Sequence, residues 1–380
     1  MSTSMTITNA RIVTSERDFI GNLHVRCGKI NRMDEGVLRL AGAEDWHGDY
    51  LLPGFIELHT DNLEKHLMPR PKVSWPEFPA LLAHDAEIAA AGITTVYDAL
   101  GVGDIDEAAL RGKDMSVLLD CFDQAEKASL LRVEHRLHVR CELPAPNTVR
   151  LFEPFLHNPR VQLLSLMDHT PGQRQWTNVE QARIYYTGKK GWSDEKFDYM
   201  VTESKTLQQQ YAEPHRQYFL EHARSHGIPL ASHDDTTPLH VAEAREAGVA
   251  VSEFPTTFEA ARAARAQALG IVMGAPNVVR GGSHSGNISA TDLASDGLLD
   301  VLSSDYVPAS LLSAAFILMD KCGFSVAQAV ATISLNPARC VGLADRGEIA
   351  VDKRADFSRV RLLNGMPSVI AVWRGAKRIA

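Results

Sequence analysis

The chain has 380 residues, 45% hydrophobic and 23% charged, with 39 basic against 47 acidic side chains and a formal charge of -8. Such a balance suits a globular enzyme with a sizeable core, and the lack of any basic run or stripe leaves nucleic-acid binding without electrostatic support. No apolar run is long enough to cross a bilayer, and MSTSMTITNARIV lacks the basic and apolar regions of a signal peptide, so neither a membrane nor a secreted location is expected.

Cys27, Cys121, Cys141, Cys322 and Cys340 are scattered without CxxC spacing. They read as reduced thiols in a cytoplasmic protein. The expected partner is a small molecule, and a homo-oligomer is compatible with the sequence.

In chain order, MTITNARIV and NLHVRCGKINRM read as short strands punctuated by turns, and the C-terminal stretch resumes that style in GEIAVDKRADFSRVRL and MPSVIAVWRGAKRIA. The two ends predict a small β-sandwich domain formed by both termini, residues 1–50 plus 345–380. Between them, 51–344 alternates strand and helix. LLPGFIELHTD opens the series, and HDAEIAAAGI (helix) leads to TTVYDAL (strand). MSVLLDCFDQAEKASLL leads to RLHVRCEL, and VQLLSLMDH follows. The alternation then continues through IPLASHDD, VAVSEF, IVMGAPN and LLDVLSSD, each preceded by a helical segment. About eight strands, most followed by a helix, predict a closed (β/α)8 TIM-type barrel. An open doubly wound sheet is the alternative, but no GxGxxG opens the first unit. Residues 170–214 are too long for a simple loop and predict an insertion or lid.

Barrels of this kind carry their chemistry at the C-terminal strand ends. Those positions hold His59 and Asp61, Glu142, Asp168 and His169, His233 with Asp234 and Asp235, Glu253, and Asp305. Side chains two apart on a strand share a face, so His59 and Asp61 emerge side by side, as two ligands of a divalent metal would. His169 and His233 each follow an apolar strand directly. Asp61 could instead cap the next segment, and Glu142 could pair with Arg140 or Arg174. Strand four offers no lysine to bridge two metals, which favours Glu142 as the bridging carboxylate. Glu253 could be an outer partner or a core ion pair. His84 reads as a helix-start or outer-shell residue, and His66 as a surface or substrate-side residue. Asp305 is placed to ligate a metal and take a proton from water; its alternative is an N-cap for a helix around 308–319.

Two stretches suit anions. APNVVRGGSHSGN offers Arg280, paired glycines, Ser283 and His284 after strand seven. PRPKVSWP, stiffened by prolines, holds Arg70 and Lys72 over the mouth. Arg174 is a further candidate for a leaving anionic group.

PGFIELHTDN followed by AAGITTVYDAL resembles the amidohydrolase superfamily, and RGEIAVDKRADF is similar to the C-terminal end of those enzymes. Most members carry HxH at strand one, where this chain has Asp61 in the third position. With that departure, PRPKVSWP, HVRCELP, SLMDHTPGQRQW, ASHDDTT, EFPTTFEAA, MGAPNVVRGGSHSGN and LSSDYVPASLL resemble one branch over essentially the whole chain. That branch comprises the ribose-phosphonate triphosphate diphosphatases of the carbon–phosphorus lyase pathway. The resemblance implies hydrolysis of α-D-ribose 1-methylphosphonate 5-triphosphate to the 5-phosphate and pyrophosphate, by water attack at the α-phosphorus. It also implies one or two divalent ions (Zn, Mn or Fe), with ligands at His59, Asp61, Glu142, His169, His233 and Asp305. The rival enzyme reading is a cyclic-amide hydrolase or deaminase on the same barrel; a non-catalytic scaffold is the rival from another class.

Overall fold

Two eight-stranded sheets meet at the Pro53–Gly54 break. The computed structural model describes residues 4–70, 73–104, 114–177, 179–283 and 286–380. The N-terminal part contributes β1 (Ser4–Val13), β2 (Asp18–Arg26), β3 (Lys29–Glu35), β4 (Glu44–Asp45) and β5 (Tyr50–Pro53) to the first sheet.

The second sheet then begins with β6 (Phe55–Thr60), α1 (Asn62–Leu67), α2 (Glu77–Ala90), β7 (Ile93–Val102) and α3 (Ser116–Lys127). Next come β8 (Glu134–Glu142), α4 (Thr148–Phe152), β9 (Val161–Met167), α5 (Val179–Lys190), α6 (Asp194–His226) and β10 (Leu230–His233). It finishes with α7 (Pro238–Glu246), β11 (Val251–Glu253), α8 (Phe258–Ala266), β12 (Gly270–Gly274), α9 (Ala275–Arg280), α10 (Ala290–Ser295) and β13 (Val301–Ser303). Helices α11 (Ser310–Cys322), α12 (Val326–Ala331) and α13 (Leu335–Cys340) lead back to β14 (Phe357–Leu363), β15 (Met366–Arg374) and β16 (Lys377–Arg378) of the first sheet.

Strands β6 to β13 lie parallel in sequence order. The last meets the first where the Asp61 N–H donates to the Asp305 carbonyl (2.8 Å) and the Asp305 N–H to the His59 carbonyl (3.1 Å). Closure thus runs through the same residues that the sequence places at the rim. Ile56, Leu58, Tyr97, Leu163, Ala231, Val251, Val272 and Val301 form one buried cluster drawn from nearly every barrel strand. That is a packed barrel interior and not a pore. The fully buried Glu57 stitches the seam below the rim, accepting from the His59 N–H (2.7 Å) and the Ser304 N–H (2.6 Å).

The terminal strands build one mixed sheet in which β5 lies between β1 (parallel) and β14 (antiparallel). Its core is Trp46 packed with Phe357 and Trp373 among Ile7, Ile12, Leu23 and Leu51. Gly54 turns the chain between sheets, because any Cβ there would collide with the Thr94 side chain.

The expected insertion is two helices, α5 and the 33-residue α6, preceded by a short 3-10 turn at Arg174–Trp176. Ser193 caps α6 by accepting from the Lys196 N–H, and left-handed Gly227 ends it. Trp176, Ala182 and Phe197 give the insertion a small core of its own, with Tyr186 and Trp192 packed on it. The glycine-rich stretch after strand seven differs from expectation: its first six residues coil into α9, which left-handed Gly281 terminates.

Candidate metal centre

His59, Asp61 and Asp305 bring one ligand atom each within 4.8 Å of one another at the rim, and His169, His233 and Asp234 do the same beside them. His59 Nε2 lies 3.8 Å from Asp61 Oδ1. His233 Nε2 and His169 Nε2 lie 3.4 and 3.8 Å from Asp234 Oδ2. These spacings match donor pairs that share one ion, each about 2.0–2.2 Å from it.

The other ring nitrogens are already committed. His59 Nδ1 donates to Glu253 Oε1 (3.1 Å), and His233 Nδ1 reaches Glu253 Oε2 (3.5 Å). His169 Nδ1 donates to Glu142 Oε2 (2.5 Å). A carboxylate on Nδ1 fixes the tautomer that leaves Nε2 as a lone-pair donor. Deeper still, His138 gives its Nδ1 proton to the Leu58 carbonyl (2.9 Å), and its buried Nε2 has no hydrogen-bond partner. That orphan nitrogen lies 3.8 Å from Glu253. His59, His138 and Glu253 form a third group of candidate ligands. The donor set of imidazoles and carboxylates therefore fits a divalent transition metal.

Burial dominates the charges here. It pushes the His138 imidazole down to about 3 and also lowers His233. Glu253 is fully buried, which would raise its carboxyl, but His138, His59 and His233 hold it well below the usual range. Burial also opposes a charge on His59, but Glu253 outweighs it and raises the imidazole. Burial and then the neighbouring Asp61 carboxylate raise Asp305 to about 6.

Local backbone geometry aims these groups inward. Asp234 and Phe254 directly follow β10 and β11, Asp305 lies two residues beyond β13, and the three have φ of 55°, 54° and 53°. Aspartate tolerates this left-handed conformation; phenylalanine pays strain. The Phe254 ring wedges edge-on against His59 and His233, with centroids 5.0 and 5.4 Å away. Asp61 occupies the N-cap position of α1 but makes no side-chain cap bond. Its carboxylate instead receives Arg140 Nη1 at 2.6 Å. Asp305 does not cap α11, whose N-cap is Ala309.

The sequence-predicted residues divide as follows. His59, Asp61, His169, His233 and Asp305 converge on one cavity of about 960 Å³, and Glu142, Arg280 and Ser283 also line it. Glu142 lies outside the three candidate ligand groups: it accepts from both the His169 N–H (3.0 Å) and Nδ1, so its oxygens orient a histidine where a bridging carboxylate was expected. Arg174 is also corrected. Its guanidinium is held by the buried Asp235 (2.6 Å) and the His233 carbonyl (3.1 Å), which anchors the insertion to β10 and leaves it outside the cavity lining. Arg70 is exposed in a small bridge with Val73, likewise outside that lining. Lys72 and His284 lie outside the described residues.

His138 was not named from the sequence; Asp234 was placed at the rim but not among the expected ligands, and Arg140 only as a possible partner of Glu142. Asp234 had a signal in the HDD run after strand five, but adjacent aspartates face opposite ways, and only the left-handed turn decides which points in. His138 and Arg140 sit four and two residues before Glu142 on β8, the same period-two face. Trp176, Tyr186, Trp192 and Phe197 of the insertion add an aromatic wall to the cavity. No described helix is long and apolar enough to cross a membrane.

Comparison with known proteins agrees with this geometry. Residues 215–379 match the model of the amidohydrolase family. The α-D-ribose 1-methylphosphonate 5-triphosphate diphosphatase of Escherichia coli is 45% identical over 377 residues, which span 99% of this chain and 100% of that one. Among solved structures, N-isopropylammelide isopropylaminohydrolase from Burkholderia multivorans superposes with a TM-score of 0.64 at 16% identity, covering 99% of this chain and 98% of its own. The 5-methylcytosine deaminase of Klebsiella pneumoniae gives 0.64 at 14% identity over 99% and 97% of the two chains. N-acetyl-D-glucosamine-6-phosphate deacetylase from Mycobacterium smegmatis gives 0.63 at 15% identity over 99% and 100%. At such identities the structural neighbours establish the barrel fold alone, whereas the full-length relative establishes kinship: the chain belongs to the amidohydrolase superfamily and, within it, to the family of the Escherichia coli diphosphatase.

Proposed function

We propose that this hydrolase cleaves α-D-ribose 1-methylphosphonate 5-triphosphate at the α-phosphorus, releasing pyrophosphate and the 5-phosphate, as a step in phosphonate use. What carries the reading is the 45% identity over the full length of the Escherichia coli diphosphatase. The site is compatible with it. A guanidinium, Arg140, reaches into the ligand cluster where a phosphoryl group would need a cation, and Arg280 lines the same cavity.

His59, Asp61 and Asp305 would hold one divalent ion, and His169, His233 and Asp234 a second. Divalent ions bound there polarise phosphoryl oxygens and acidify water. The protein groups then have defined tasks. Asp305, whose carboxyl is raised by burial and by the Asp61 carboxylate, is placed to take a proton from the attacking water. As the water oxygen bonds to the α-phosphorus, the bond from the α-phosphorus to the oxygen bridging to the β-phosphorus breaks, and pyrophosphate leaves with that oxygen and the bonding pair. Arg140 donates one N–H to Asp61 and its buried Nε has no other partner, so the rest of the fork is free to meet an equatorial phosphoryl oxygen. Arg280 offers a second planar fork from the α9 terminus. The aromatic wall of the insertion excludes water around the reacting group.

The test is direct. Enzyme loaded with Zn, Mn or Fe releases pyrophosphate from the ribose triphosphate, and chelator-stripped enzyme does not until metal is returned. Metal-loaded enzyme that is inert towards the triphosphate but opens a cyclic amide would overturn the reading.

A further inference from the structure

A second cavity, of about 240 Å³, lies at the opposite end of the barrel, lined by Glu126, Ser129, Leu131, Val133, Glu134, His135, Arg160, Arg374 and Lys377. It sits beneath the N-terminal end of β8. That strand runs from Glu134 here to Glu142 at the rim, a separation of roughly 25 Å at about 3.3 Å per residue. Its volume is below the roughly 300–1,000 Å³ typical of sites for drug-sized ligands, so it suits a small ion.

The charges around it do not balance. Glu134 is held by Arg136 (2.8 Å), Arg346 (2.7 Å) and Arg354 (2.5 Å). Glu126 is paired with Arg160. Asp85 receives Arg132 (3.1 Å) and His135 (3.3 Å). Asp356 is paired with Arg354. Every carboxylate near the cavity therefore has a closer cation than Arg374 or Lys377. Neither of those two side chains makes a hydrogen bond or ion pair with a described residue.

Two further facts make that pair unusual. Arg374 and Lys377 are register partners in the β15–β16 hairpin, so two like charges face each other across a tight turn. Such a pairing is unfavourable without a shared counter-charge. Arg374 is also half-buried; burial and the neighbouring Arg354 work against its charge, and Glu134, Asp356 and Asp85, none of them in contact with it, offset this only in part. A partly desolvated guanidinium with no anion in contact is a costly feature to retain for packing alone. Ser129 supplies a hydroxyl at the mouth.

We propose that this cavity is a binding site for a phosphate-class dianion, gripped by Arg374 and Lys377 beneath Ser129. The arginine fork takes two oxygens in its plane, the ammonium takes a third, and the dianion restores neutrality across the hairpin. The site is separate from the reaction cavity and does not depend on the substrate assigned there.

Titration calorimetry of the full chain with inorganic phosphate tests the assignment. Binding is expected in the Arg280→Ala enzyme, which weakens anion contacts at the rim. It is expected to weaken at least about tenfold in Arg374→Met and in Lys377→Met, the loss of one charge-assisted contact. Hydrogen exchange of the 373–378 hairpin should slow with phosphate in the parent and not in Lys377→Met. Lys377 is exposed, so its variant keeps the test meaningful if Arg374→Met folds poorly. Equal phosphate affinity in the parent and Lys377→Met, or protection confined to the rim, would overturn the proposal.

Discussion

Arg140 Nη1 lies 2.6 Å from Asp61 Oδ1, joining the third barrel strand to the rim position where most of the superfamily carries a second histidine. The pair couples a candidate ligand to a cation buried in the same cavity. Replacing Arg140 by Ala is expected to lower kcat/KM by about 10²–10³-fold, the usual loss for one preorganised transition-state donor. Arg140→Lys should recover only part, because an ammonium cannot serve Asp61 and a phosphoryl oxygen in one plane. Steady-state kinetics of both variants decide this, and a near-normal Arg140→Ala enzyme would remove Arg140 from the chemistry.

Asp305→Asn removes the proton acceptor and keeps the shape. Turnover should fall by about 10²–10⁴-fold with KM little changed. The parent should lose activity on the acid side, where the Asp305 carboxyl, raised by burial and by Asp61, takes up its proton. That acidic limb should be absent in the residual activity of the variant. A pH–rate profile with the same limb in both enzymes assigns the titration elsewhere.

Glu253 touches His59 and His233 and approaches His138, yet belongs to the deepest layer of the site. Glu253→Gln should weaken metal binding by about 10–100-fold through lost tautomer control. Asp234→Ala should cost more metal than Glu142→Ala, since Asp234 converges with two imidazole Nε2 atoms and Glu142 backs one Nδ1. Metal content after dialysis against a graded chelator series measures both. The reverse order would restore Glu142 as the bridging ligand.

A second buried polar system, away from the rim, controls stability. Asp98 accepts from His84 Nε2 and His135 Nδ1, each at 2.7 Å, and His84 Nδ1 accepts from Asn62 Nδ2 at 3.1 Å, next to Asp61. Each imidazole nitrogen is thus committed, which argues against a metal there. Burial disfavours a charged His135, but Asp98 and Asp85 overcome this and raise it to about 9. A raised histidine contributes stability that is complete below its unfolded value near 6.5 and is lost as pH climbs through about 9. The melting temperature should therefore fall over that window. His135→Gln should flatten the dependence and destabilise by about 3–5 kcal/mol, because it leaves two buried carboxylates without their shared cation. Calorimetry at pH 6.5 and pH 9 checks both statements.

The βα alternation was legible because each strand is a short apolar run and each helix carries its own stop, such as Gly227 after α6. His59 and Asp61 were legible because a strand's period puts them together within three residues. Glu253 was ambiguous because its partner His59 is 194 residues away, and only barrel closure sets that register. Arg174 misled for the same reason: a free arginine and one spent on Asp235 look alike in sequence. The glycine pair after strand seven read as a loop, although Gly281 there acts as a helix terminator. Arg374 and Lys377 carried no signal, since their significance lies in the counter-charges that others have already taken.

The most direct test of the account is phosphorus NMR of the products formed from α-D-ribose 1-methylphosphonate 5-triphosphate in isotopically labelled water. Attack at the α-phosphorus predicts pyrophosphate free of label and one labelled oxygen in the 5-phosphate. Label in the pyrophosphate, or orthophosphate as the first product, would contradict it.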